Sequence, residues 1–142
     1  MTDARFQLER FVTAQAAIYD QVLAELRAGR KTSHWMWFIF PQLAGLGHSA
    51  TAQYYGIRSL AEAQAYLAHP VLGERLRTCT RIVIDTQAPL LGYIFGTPDD
   101  LKFCSSMTLF SRAGGDMVLF DEAIERWCPG PDKSTLHILQ TA

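Results

Sequence analysis

The chain has 142 residues, 13 basic and 14 acidic, a formal net charge of −1, and a composition that is 49% hydrophobic and 11% aromatic. That length suits one domain spanning residues 1–142, with a core that removes about 70% of the unfolded surface from water. The apolar content excludes a disordered linker, and the near-neutral charge excludes a protein that grips a nucleic-acid backbone non-specifically.

The start, MTDARFQLERF, is charged and lacks the apolar stretch and cleavage site of a signal peptide. The longest apolar run, Trp35 to Phe40, is far short of the roughly 20 residues that span a bilayer. Cys79, Cys104 and Cys128 are widely spaced, odd in number and without a C-x-x-C. Buried thiols in a reducing cytoplasm are therefore expected, with no membrane contact.

In chain order, Leu8, Phe11, Val12, Ile18, Tyr19, Val22, Leu23 and Leu26 fall on one stripe of a single long helix, which Gly29 ends. Arg27, Arg30 and Lys31 follow where positive charge suits the helix dipole, which outweighs a phosphate-binding patch. The block HWMWFIFPQL, His34 to Leu43, is the densest apolar stretch of the chain. Propensity favours a strand there, but no comparable partner strand exists, so a short helix capped by Ser33 and limited by Pro41 is expected.

GLGHSA, Gly45 to Ala50, has the letters of a dinucleotide motif without the flanking strands, and reads as a turn feeding a helix capped by Ser49. Ser59-Leu60-Ala61-Glu62 is a capping box for a helix that stops before His69-Pro70, and Pro70 opens the next one, with Leu72, Leu76, Cys79 and Val83 inward. Pro89 to Phe95 predicts one or two turns. Thr97-Pro98-Asp99-Asp100 gives cap, first-position proline and first-turn acids for a central helix, Leu101 to Ser111, ended by Gly114-Gly115. Asp116 caps a helix bearing Phe120 and Trp127, and Asp132 a last one through Leu139. The result is an all-α bundle of roughly six to eight helices joined by short Gly- and Pro-marked turns.

Through HWMWFIFPQL, SLAEAQAYLAHPVLGERL (Ser59 to Leu76) and IFGTPDDLKFCSSMTLF (Ile94 to Phe110), the chain resembles the bacterial domain-of-unknown-function family 1810, sometimes labelled calpastatin-like. The resemblance extends from about Phe6 to the last helix and implies a compact helical cytoplasmic protein with no established activity. A calpastatin-type inhibitor is a polar chain that orders on its target, which the 49% hydrophobic content contradicts.

Chemistry is sought where polar residues interrupt the two most apolar segments. His34, beside tryptophans, suits a general base, although a half-buried histidine bonded to backbone is the simpler account. Lys102 precedes Ser105 and Ser106 by three and four residues, so its amine can reach a hydroxyl on its own face; back-bonding of the hydroxyls to the preceding turn is the competing account. His34, Lys102 and Ser105 are the candidate catalytic groups, and Trp35, Trp37, Gln42, Ser106 and Thr108 the candidate ligand contacts. A cleft joining them would take a planar, nucleotide-like and anionic small molecule, with or without acid–base or hydrolytic chemistry. A non-catalytic module that docks a protein or a second copy through the aromatic block is the alternative. No metal set is visible in the histidine spacing, and no cofactor is expected.

Overall fold

The computed structural model describes residues 6–115 and 117–141. The first five residues and the expected cap Asp116 lie outside them. Ten α-helices and one 3₁₀ turn make up the described chain: α1 Glu9–Ala16, α2 Tyr19–Arg27, α3 Met36–Ile39, the 3₁₀ turn Ala44–Leu46, α4 Ala50–Tyr55, α5 Leu60–Ala68, α6 Leu72–Asp85, α7 Leu91–Phe95, α8 Asp99–Ala113, α9 Met117–Trp127 and α10 Lys133–Thr141. No strand forms among these residues; one isolated parallel bridge pairs Leu43 with Ile57. The fold is all-α, as expected, with more helices than the periodicity suggested.

The excess has local causes. The expected long first helix is two, because Ile18 leaves helical geometry at φ −130°. The break follows the one gap in the apolar stripe, residues 13–17, where Gln15 is buried instead. Its amide donates to the Phe38 carbonyl at 2.6 Å and to the Tyr66 hydroxyl at 3.1 Å, and Arg75 donates to its oxygen at 3.3 Å. α2 then closes in a Schellman motif: Arg30 N–H donates to Glu25 O and Gly29 N–H to Leu26 O, with Gly29 at φ +75°.

The aromatic block is helical for only four residues, since the residue before Pro41 is pushed out of α geometry, with Phe40 at φ −123°, ψ 73°. Ser33 is not its cap; Trp35 is the boundary residue, and Ser33 serves Glu25 instead. Ser49 and Ser59 do cap α4 and α5, accepting from Ala52 N–H at 3.0 Å and Glu62 N–H at 3.1 Å. α6 starts later than Pro70, at Leu72, because the imidazole Nδ1 of His69 accepts from Val71 and Leu72 N–H at 3.1 and 3.2 Å. The α5–α6 corner is tight enough that a Cβ on Gly73 would lie 2.1 Å from the Leu67 carbonyl oxygen. α8 starts at Asp99 with Pro98 as the boundary residue after a cis Thr97–Pro98 bond, so proline is not the first helical residue. Asp132 caps α10, accepting from Thr135 N–H at 3.0 Å.

α8 is the central helix, with nine buried residues between Phe103 and Ala113, and α9 and α5 pack along it. Two aromatic groups share it. Phe103 meets Phe40 and Phe95 at ring separations of 5.0 and 5.2 Å, next to Trp35; Phe110 lies between Tyr66 and Phe120 at 5.3 and 5.9 Å. Burial of each ring contributes on the order of 4–6 kcal/mol gross.

The expectation of three buried free thiols is also overturned. Cys104 and Cys128 form a disulfide with Cα atoms 6.0 Å apart, and only Cys79 is a free thiol. The two residues are 24 apart in sequence, but α8 and α9 pack antiparallel and bring the start of one against the end of the other. No described helix is long and apolar enough to cross a membrane.

Candidate functional site

The loop between α2 and α3 is organised by a carboxylate the sequence did not single out. Glu25 is 5% exposed and accepts five hydrogen bonds: from Thr32 N–H at 2.7 Å, Ser33 N–H at 2.9 Å, the Ser33 hydroxyl at 2.7 Å, the Gln21 amide at 2.8 Å and the Trp35 indole at 3.0 Å. Burial opposes its charge, but the Ser33 hydroxyl, the Gln21 amide and the two backbone N–H groups outweigh it and hold the carboxyl at about 2. Trp35 is therefore a core residue, 1% exposed, with its polar edge satisfied.

The same loop carries Lys31 to the start of α8. Its backbone N–H donates to Ile94 O at 2.7 Å, its ammonium pairs with Asp99 at 2.8 Å, and that ammonium lies 5.1 Å from the Trp35 ring centre. Lys102, one turn along α8, lies 4.0 Å from the same Asp99 and 5.7 Å from the ring of half-buried Trp37. Two ammonium groups thus flank one carboxylate, each above a tryptophan. The seam between the aromatic block and α8 exists, and Lys31 and Asp99 are its unforeseen members.

The other candidates are dispersed. His34 is exposed on the loop before α3, and Gln42 is half-buried beyond it, its carbonyl accepting from Ile57 N–H at 2.9 Å. Lys102 turns to Asp99 and Trp37, while the Ser105 hydroxyl donates to Leu101 O at 3.2 Å and the Thr108 hydroxyl to Cys104 O at 2.8 Å, the back-bonding geometry. Thr108 also accepts from Asp132 N–H at 2.9 Å and so ties α10 to α8. Ser106 is fully buried, and its hydroxyl has no hydrogen-bond partner among the described residues, so the back-bonding that holds Ser105 and Thr108 does not extend to it.

A cleft of about 490 Å³ lies on another side of α8, between α7, the 97–104 segment and Trp127–Pro129. Leu90, Tyr93 and Leu101 are exposed at it, at 66%, 65% and 63%. Cys104 of the disulfide lines its wall. The buried Cys79 thiol is pushed up to about 12 by desolvation, which removes it as a nucleophile near neutral pH. Among the described residues no three His, Cys, Asp or Glu side chains gather as metal ligands.

A hint of the seam was present in the sequence, since Lys31 follows the α2 cap and Asp99 opens α8. Nothing local, however, pairs residues so far apart. Glu25 was hidden by its place on a helix surface pattern, one residue before buried Leu26.

Among functionally curated proteins none matches this chain. The solved structure of a conserved hypothetical protein, Rv1873 from Mycobacterium tuberculosis, is similar at 52% identity and a TM-score of 0.95, over 97% of this chain and 99% of that one. The family described as "Protein of unknown function (DUF1810)" matches over residues 5–139. With nearly the whole chain matched in sequence and in fold, the protein belongs to the DUF1810 family.

Proposed function

We propose that the protein binds a small, planar, anionic molecule of nucleotide-like kind at the Trp37–Lys102 edge of the seam. One observation carries this reading. Asp99 is already paired with Lys31 at 2.8 Å, so Lys102, at 4.0 Å from it and 29% exposed, keeps surplus positive charge beside an aromatic face. An anion recruited by that ammonium meets the Trp37 ring, and stacking adds about 1–3 kcal/mol per base. His34, exposed three residues before Trp37, is the group to take a proton from such a ligand. The Ser105 proton is held by the Leu101 carbonyl, which suits a positioning role better than attack. The aromatic block as a docking face is the weaker reading, because Trp35, Met36, Ile39 and Phe40 are all buried.

Thermal shift against nucleoside monophosphates, sugar phosphates and the matching uncharged nucleosides tests it. A true ligand at a hundredfold excess over Kd raises Tm by about 5–10 °C. The nucleoside should do less, and Lys102→Met should remove the difference. Binding that survives both His34→Ala and Lys102→Met unchanged ends the proposal.

A further inference from the structure

We propose that the cleft between α7, α8 and Trp127–Pro129 is a second site, for a small organic cation with a flat apolar body, an arylalkylammonium ion. The cleft's volume of about 490 Å³ falls in the range of small-molecule sites. Its walls are mainly apolar, and Asp100 is the one charged side chain that lines it. That carboxylate accepts only from neutral groups, the Thr97 hydroxyl at 3.2 Å and Leu101 N–H at 2.8 Å, and no described cation pairs with it. Oδ2 faces the α7 wall, since a Cβ on Gly92 would stand 3.6 Å from it. An ammonium entering there gains a charge-assisted hydrogen bond that no described residue supplies.

The other end of the cleft sets the body of the ligand. The Trp127 indole N–H is taken by the Val83 carbonyl at 2.9 Å, and Arg126 lies 3.7 Å from the ring centre. A guanidinium at that end repels a second cation, so the charged head belongs at Asp100 and the ring against Trp127 and Leu101. Asp100, Leu101 and Cys104 share this face of α8, with Thr97 lining the cleft just before the helix, while Asp99 and Lys102 point to the seam, so the site stands apart from the anion site.

Tryptamine, its uncharged analogue tryptophol and the anion indole-3-acetate separate charge from shape. Calorimetry with the full chain should show tryptamine binding at least about tenfold tighter than tryptophol, and indole-3-acetate weakest. Amide resonances of Tyr93, Leu101 and Trp127 should move on titration. Asp100→Asn should bring tryptamine down to the level of tryptophol and leave tryptophol unchanged. Leu101→Arg, at an exposed position, should weaken all binding in the cleft. Equal affinities, no binding of tryptamine at millimolar concentration, or shifts centred on Trp37 and Lys102 would each overturn the assignment, and the last would not disturb the anion reading.

Discussion

The carboxylate of Asp99 lies 2.8 Å from one ammonium and 4.0 Å from a second, whereas that of Asp100, the next residue, meets only a hydroxyl and a backbone N–H. Consecutive helical residues do not share a face, so one helix start borders two different surfaces. On the seam side, charge and hydrogen bonds hold the structure: Lys31 on Asp99, and Glu25 gathering the loop that carries Lys31. On the cleft side the brace is covalent, Cys104 to Cys128, and no ion pair joins the walls there among the described residues. The two walls of α8 should therefore fail under different stresses.

The largest effect expected is on the cleft side. Removing the disulfide with Cys104→Ser and Cys128→Ser frees a loop of 24 residues and should cost about 3 kcal/mol in denaturant melts, with the Trp127 indole resonance broadening first. If the Trp35 resonance responds equally, the two walls are not independent.

Next is the seam. Glu25→Gln keeps the shape but loses the charge that five donors address, and should cost about 2 kcal/mol. The same residue gives a pH signature. Its folded pKa is about 2 against an ordinary 4.5, so its contribution is complete above about pH 4.5 and is lost as pH falls toward 2. Acid melts of the wild type should slope through that window, and those of Glu25→Gln should slope less.

A smaller change follows from Lys31→Met, which leaves Asp99 to Lys102 at longer range. About 1 kcal/mol should be lost, and added salt should change that gap little, because the Lys31 side chain is nearly buried and poorly screened. Smallest of all is Asp100→Asn, expected within about 0.5 kcal/mol of the wild type, because no ion pair is broken. A large loss there would show that Asp100 braces the fold and would erase the contrast.

Much of the helical order was legible in local signals. Ser49, Ser59 and Asp132 cap where their side chains reach an N–H three residues on, and Gly29 and Gly114 end helices by turning to positive φ. The one badly misread boundary, within Leu8–Leu26, is a place where a distant partner intrudes: Gln15 bonds Phe38 and Tyr66, and the helix breaks beyond it. The candidate site was legible only in its aromatic and lysine members. His34 is exposed on its loop, and in sequence Lys31 and Asp99 are each accounted for as helix-end charges.

Local signals along the chain are thus enough for the class of the fold, the caps and stops of most helices, and the aromatic residues that fill the core. These follow from hydrogen bonds completed within a turn and from apolar spacing, which a linear chain displays. Packing alone brings Lys31 to Asp99 and Cys104 to Cys128, and gives Asp99 and Asp100 different surroundings. Those outcomes depend on how rigid helices pack side by side, and packing brings together residues whose separation along the chain carries no trace of their distance in space.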